Sequence, residues 1–274
     1  MSNSSKFSVF IDRLILILIV LLTLLPFYLL LVNSFKLETD IIKRPFNFPD
    51  TIQFVNYLKA FPQIINPMIH SLIVSISTIL ITCLFSLLAA YSFARFTFPL
   101  KEFLYFGVIA MLMIPGFVLL IPQFIQVVNL GLFDTYAALI LVPSAYQVAM
   151  GTFLIRTSIE GISNSLFEAA AMEGANDWQL LKYIVFPMTK PTLATVTIMT
   201  GLSSWNNYMW PLVVSSSDRT KQISVALTGI VKDAVYGKGV TFAGYVCAAL
   251  PIILLFIFAN KSFVEGLSQG AVKG

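Results

Sequence analysis

Apolar residues in this chain fall into long unbroken runs, separated by shorter polar stretches. A helix rises about 1.5 Å per residue, so crossing roughly 30 Å of hydrocarbon takes about 20 residues. Six charge-free runs approach that length: residues 14–32, 69–94, 103–127, 136–155, 192–214 and 239–260. None shows the ten-residue alternation of a membrane β-strand. A helix also pairs its backbone groups locally, as lipid demands. The pattern predicts an all-α integral membrane protein of about six transmembrane helices, forming a single domain over residues 1–274. Pro115 and Pro122 interrupt the third run. The first run follows Lys6 and Arg13 but exceeds a signal-peptide core and has no small-residue cleavage site, so it reads as a retained helix.

Composition sharpens this reading. Hydrophobic residues make up 58% of the 274, charged residues only 11%, and mean hydropathy is +0.87. A soluble domain of this size carries far more charge. The net charge of +4 does not indicate a nucleic-acid surface, because the basic residues lie between apolar runs without interleaved aromatics. If the N-terminus lies inside, Lys and Arg divide nine inside to eight outside, which sets no orientation. The span centres hold no charged residue. That argues against a carrier driven by protons or sodium through intramembrane carboxylates. No G-x-x-x-x-G-K-[ST] loop is present, and Gly237-Lys238-Gly239 lacks the upstream glycine. Cys83 and Cys247 sit inside apolar runs without metal-ligand spacing, so neither a disulfide nor a metal site is expected. The lone histidine, His70, opens an apolar run and reads as structural. An intramembrane enzyme would need paired acids, an H-E-x-x-H motif or a nucleophile with its base, and none appears.

The densest local signal lies in the charged loop at residues 156–190. Ser165 and Glu168 have the spacing of a capping box, and Ala169, Ala170 and Ala171 favour helix while presenting a face without bulk. Gly174 suits the left-handed residue that ends a helix. Asn176 or Asp177 can cap a second helix through Trp178, Leu180, Leu181 and Ile184, with Pro187 where it would end or bend. The loop thus reads as helix, tight turn, helix at the membrane surface. Its small-residue face suits a closely approaching partner, and an ordinary interfacial amphipathic helix is the plainer reading.

Residues 168–187 resemble the EAA loop of permease subunits of binding-protein-dependent ABC importers, whose pattern is E-A-A, three residues, G, nine residues, I, one residue, L-P. Glu168, Ala169, Ala170, Gly174, Ile184 and Pro187 match, and Phe186 replaces the leucine. Trp205 to Val214 is similar to the W-N-x-[FY] segment of the carbohydrate branch. The ending Phe263 to Gly274 is similar to the tail of its second, maltose-type permease. The resemblance implies the type I importer permease fold, with residues 156–190 as a cytoplasmic coupling helix. Both termini would then lie inside a prokaryotic cell membrane, with loops 33–68 and 215–238 outside. It implies that Glu168 contacts an ATPase subunit, Ala169 and Ala170 permit close packing, and Gly174 makes the turn. The tail Gly270, Ala271, Val272, Lys273 and Gly274 would reach toward that ATPase. The implied partners are a second permease, two ATPase subunits that bind the ATP and magnesium, and an extracytoplasmic sugar-binding protein. This chain would hold no cofactor and catalyse nothing.

A sugar path would need aromatic faces and amides. Trp205, Asn206, Asn207, Tyr208 and Trp210 cluster late in the fifth run, and Gln123, Gln126, Tyr146 and Gln147 are polar positions in the third and fourth. Polar side chains at that depth face the protein interior or a water-filled cavity. Interhelical hydrogen bonding with an interfacial aromatic belt accounts for the same residues. Two further readings are a permease of the same fold for a non-sugar solute and a secondary carrier. The Trp205 segment favours sugar, and the charge-free spans disfavour a carrier.

Overall fold

Hydrocarbon offers no partner to a backbone N–H or C=O, so this chain pairs them within helices. The computed structural model describes the backbone of residues 3–232 and 237–271, and the side chains of residues 8–231 and 237–257. Among these residues there are helices and no strands. In order they are α1 (Asn3–Ser34), α2 (Glu38–Lys43), α3 (Val55–Arg95), α4 (Lys101–Ala110), α5 (Leu120–Asn129), α6 (Tyr136–Glu160) and α7 (Asn164–Met172). Then come α8 (Asp177–Leu180), α9 (Phe186–Met188), α10 (Lys190–Trp205), α11 (Met209–Val214), α12 (Ile223–Lys232) and α13 (Gly237–Ala271).

Four of the described helices are long and apolar enough to cross a membrane: Ser8–Ser34 of α1, all of α3, all of α6, and Gly237–Ile257 of α13. Two of the six expected spans are broken. The third becomes Lys101–Met113 and Gly116–Asn129, bent by 93°. Its break falls at Ile114, which is extended because the following Pro115 disfavours the helical conformation there. The fifth divides into α10 and the six-residue α11, because the chain leaves the helix at Asn206–Tyr208. The second begins fourteen residues earlier than the run at 69–94, continuing as helix through Pro62 and Pro67. The expected loop at 215–238 contains α12 and the start of α13.

Exposure is the reverse of a soluble protein's. Only 6% of the most apolar stretch of α1 is buried, and Leu18, Leu21 and Leu22 are each more than half exposed. Apolar surface on this scale needs lipid or a neighbouring subunit against it.

The chain divides into two compact units, Met1–Asn66 with Ala226–Leu250 and Pro67–Val225 with Pro251–Gly274. In the first, Lys36 is 2% exposed and spends all three donors, on Asn33 Oδ1 (3.1 Å) and the carbonyls of Arg44 (2.9 Å) and Pro45 (3.0 Å). Burial lowers its pKa below the ordinary lysine value, with nearby Asp40 opposing the shift. Asn56 Nδ2 donates to the carbonyls of Ser34 and Lys36, tying the end of α1 to the start of α3. Gly239 lets α13 pass this knot, since a Cβ there would lie 2.8 Å from the Lys36 carbonyl.

In the second unit α3, α6 and α10 pack together. Buried hydroxyls recur along α3 every three or four residues, at Ser71, Ser75, Thr78, Thr82 and Ser86, on one face of the helix. Ser75 donates to Ser204 of α10 (3.1 Å), and Ser86 donates to the Val148 carbonyl of α6 (3.1 Å). Small and hydroxyl-bearing residues hold membrane helices together because lipid supplies no hydrophobic drive between them. The closest approach is at Gly151, where a Cβ would overlap Ser86 Oγ and lie 2.8 Å from Ser86 Cβ and 3.3 Å from Val196 Cγ1. We predict that Gly151→Val costs about 1–3 kcal/mol by overpacking this seam. Thermal unfolding in detergent should show a clear fall in midpoint, while the same substitution at Gly107, with nothing within 4 Å of its added Cβ, shifts it far less.

Candidate functional site

The loop after α6 folds as the sequence suggests, with one correction at its start. The helix begins at Asn164 rather than after Ser165, and its N-cap, Ser163, makes no side-chain capping bond. Ser165 is already inside α7, and its hydroxyl pairs with that of Ser163 at 2.8 Å, so the expected Ser165–Glu168 capping box is not what starts the helix. A tertiary contact stands at that start instead: Arg95 Nη1 donates to Asn164 Oδ1 at 2.8 Å. At the other end Gly174 has φ +83°. The Ala175 N–H donates to the Ala170 carbonyl, and the Gly174 N–H to that of Ala171, each at 3.0 Å. This is the Schellman closure, which needs a residue at home in the left-handed region. Asn176 then caps α8 in a full capping box. The Asn176 Oδ1 accepts from the Gln179 N–H (2.9 Å), and Gln179 Oε1 accepts from the Asn176 N–H (2.8 Å). Asp177 is the first residue of α8.

The chain does not stop at Pro187. It continues through a π-helical turn, Leu181–Val185, then α9, and enters α10 directly. Thr189 donates both its N–H (2.9 Å) and its hydroxyl (2.8 Å) to the Val185 carbonyl, closing the turn around the proline. Insertions of this kind re-pair backbone groups where a proline has removed a donor. Ile184 is half-buried and Pro187 exposed.

The faces of α7 divide sharply. Phe167 is 2% exposed and belongs to an apolar cluster with Leu87, Ala90, Tyr91, Ile155, Ile159 and Val185. Glu168, Ala169, Ala171, Glu173 and Gly174 are exposed, and Met172 is 89% exposed. Beside this face lies a recess of about 320 Å³, lined by Ala170, Glu173, Gly174, Ala175, Gln179, Leu180, Tyr183 and Ile184. Met172, which the motif reading passed over, and Trp178, 66% exposed and read there only as part of the second helix, are apolar groups on the surface of this loop. Their signal was present, as apolar residues inside a charged loop.

The candidate path residues meet different fates. Trp205 and Trp210 are 6% and 5% exposed, so neither offers an open ring face in this structure. Trp210 Nε1 donates to the Ala138 carbonyl (3.0 Å) within an apolar cluster. Asn207 Oδ1 accepts from the Trp210 N–H (3.3 Å), and its carbonyl accepts from Ser224 (2.7 Å), so this asparagine shapes the break between α10 and α11. Asn206 is exposed and Tyr208 half-buried. Gln147 Nε2 donates to Ser203 Oγ (2.7 Å), joining α6 to α10 at an accessible position. Tyr146 instead turns to the Leu112 carbonyl (3.4 Å), Gln123 is half-buried on α5, and Gln126 is exposed there. The tail Gly270, Ala271, Val272, Lys273 and Gly274 lies outside the residues whose side chains are described.

At the end of the unit remote from the α7 loop, Asp134 organises the segment after α11. Its φ is +57°, and its Oδ1 accepts from the N–H groups of Ser216 (3.0 Å) and Ser217 (3.2 Å) and from the hydroxyl of Thr220. The Thr220 bond is the largest effect; desolvation opposes it, and the Ser217 and Ser216 bonds add to it, so that together the bonds hold this carboxyl far below the usual carboxylate range. Nearby, His70 Nδ1 lies 3.3 Å from the Lys221 carbonyl, and Ser71 Oγ accepts from the Ile223 N–H (2.8 Å), which are structural roles.

Among the described residues the protein is a helical membrane bundle with broken spans and a helix–turn–helix between α6 and α10. It is similar to a solved structure, a bacterial ABC transporter involved in the import of the acidic polysaccharide alginate. One of its chains superposes with a TM-score of 0.86 at 23% identity, covering 96% of this chain and 99% of that one. The fold is that of an ABC importer permease of type I. Residues 83–269 match the family of binding-protein-dependent transport system inner membrane components, and the chain belongs to that family. A probable ABC transporter permease protein of Bacillus subtilis, YurM, is 34% identical over 91% of this chain and 83% of its own length. The arabinooligosaccharides transport system permease protein AraQ of the same organism is 30% identical over 99% of both chains. The diacetylchitobiose uptake system permease protein NgcG of Streptomyces coelicolor is 28% identical over 99% of this chain and 91% of that protein.

For the Asp134 anchor we predict that Asp134→Ala accelerates hydrogen exchange at the Ser216 and Ser217 amides by about tenfold or more, the scale of a lost charge-assisted bond. A carboxyl with a depressed folded pKa stabilises above its unfolded pKa and loses that contribution as pH falls through the folded value. After correction for intrinsic exchange, protection of these amides should therefore hold from neutrality down to about pH 4 and fall only in stronger acid.

Proposed function

We propose that this chain is a non-catalytic pore subunit of an ATP-driven importer for a di- or oligosaccharide delivered by an extracytoplasmic binding protein. The observation that carries the reading is α7: a short helix closed by Gly174, anchored by Phe167 and free along Glu168, Ala169 and Met172. Relatives named for arabinooligosaccharides, diacetylchitobiose, lactose and melibiose/raffinose/stachyose support the sugar class. In this reading the chain is one transmembrane domain in a prokaryotic cell membrane, with both termini and the α7 loop cytoplasmic. It pairs with a second permease, and two ATPase subunits bind the nucleotide and magnesium.

The coupling is thermodynamic. ATP closes the ATPase dimer, and closure moves the pore only if the two pore states differ in affinity for the closed dimer. A helix seated in a cleft transmits that difference as rigid-body motion. Ala169 and Ala170 keep the approach close, Glu168 supplies a charge for the partner, and Asn176 with Gln179 fixes the direction in which the chain returns to the membrane. The accessible amides Gln147 and Asn206 are the better candidates for sugar contact, and Trp205 serves packing. The 215–225 segment, gathered on Asp134, is the candidate surface for the binding protein.

The test is purification of the tagged chain from its own membrane, followed by ATP hydrolysis assays with the binding protein and a panel of di- and oligosaccharides. Wild type should bring down ATPase subunits and respond to one sugar class. Glu168→Lys and Gly174→Asp should insert normally yet lose uptake. At Gly174 the strain of a side chain in left-handed backbone, roughly 1–2 kcal/mol, adds to the new charge. Uptake at wild-type levels by both variants would remove α7 from the mechanism.

A further inference from the structure

A loop driven by an outside motor is useful only if something inside the membrane moves with it, and one helix end holds both arms of this loop. Tyr91 and Arg95 stand one turn apart on α3, hence on one face of it. Arg95 grips α7. Its guanidinium lies 3.8 Å from the centroid of the Phe167 ring, and its Nη1 donates to Asn164 Oδ1 at 2.8 Å. Tyr91 reaches the other arm, its hydroxyl donating to Asp177 Oδ1 at the start of α8 (3.3 Å). Tyr91 is 5% exposed and packs in the same cluster as Phe167, Leu181 and Val185. Apolar contact alone would let the two short helices slide on α3. A cation over a ring and two hydrogen bonds directed to different arms fix their register.

We propose that Tyr91 and Arg95 are positioning residues that join the α7–α8 loop to α3 as one rigid body, so that a displacement of the loop by its motor is delivered to α3 first. The idea rests on the reading of this chain as an ATP-driven permease. The load is passed along an unbroken helix: from Arg95 back to Ser71 is roughly 36 Å at 1.5 Å per residue. At that far end Ser71 and Ser75 hold Ile223 and Ser204. Arg156 makes the comparable grip from α6, but on α4 rather than on the loop, through Glu102 and the Tyr105 ring.

The experiment uses the assembled transporter in lipid nanodiscs. Cys83 and Cys247 are replaced, and spin labels are placed at K182C on the exposed returning arm of the loop, off its alanine face, and L84C on the exposed face of α3. In the otherwise wild-type complex the loop-to-α3 distance should be the same without nucleotide and with ATP plus vanadate. In Tyr91→Phe/Arg95→Gln, ATPase subunits should still copurify and hydrolyse ATP. The distance should now change with nucleotide, and Arg95→Lys, which keeps a cation over Phe167, should restore most of the fixed distance. A distance that already shifts with nucleotide in wild type would overturn the proposal. So would a double variant whose distance stays fixed, or one in which hydrolysis and assembly are lost together. A wild-type complex that binds no ATPase would instead sink the importer reading on which the proposal stands.

Discussion

Everything in this molecule depends on how helices are held together where oil surrounds them. Hydrocarbon is as apolar as leucine, so burying leucine against leucine gives little preference for one packing over another. Close approach and hydroxyl bonds supply that preference here. Gly151 admits Ser86, Ser75 meets Ser204, and Gln147 meets Ser203. Such contacts have one good register and poor intermediates, so packed helices move as bodies rather than deforming.

The breaks follow from the same constraint. A span is interrupted only where freed backbone groups find other partners. Asn207 and Ser224 serve the gap between α10 and α11, and Thr189 closes the π-turn ahead of α10. The α7 loop sits outside these bodies but is bonded into one of them, which lets it act as a handle. Its inner face is aromatic and fixed, and its outer face is small and unencumbered, with Met172 at the tip.

Much of this was legible in the chain, because the signals were local. Charge-free runs marked α1, α3, α6 and α13 as spans, and Gly174 and Asn176 marked the turn and the second cap. The start of α3 was hidden by Lys59, which carries a charge, and by Pro62 and Pro67, which read as helix breakers but remove only two backbone donors from a long helix. The broken fifth span was written in Asn206-Asn207, yet amides in an apolar run read equally well as ligand groups. Trp205 shows the cost of that ambiguity: its chemistry suits a sugar, and its position is the core. The Ser165 capping box had the right spacing, but the helix began earlier, beside a contact from Arg95. That contact and the Tyr91–Asp177 bond join residues 69 and 86 positions apart, and no periodicity reports such pairs.

The central claim is that the free face of α7 is gripped by a nucleotide-binding subunit. The most direct measurement is photo-crosslinking from a benzoylphenylalanine placed at Met172 in intact membranes. Adducts should form with an ATP-binding polypeptide and disappear when that polypeptide is not expressed. Adducts with an exterior binding protein, or none at all from a correctly inserted chain, would contradict the account.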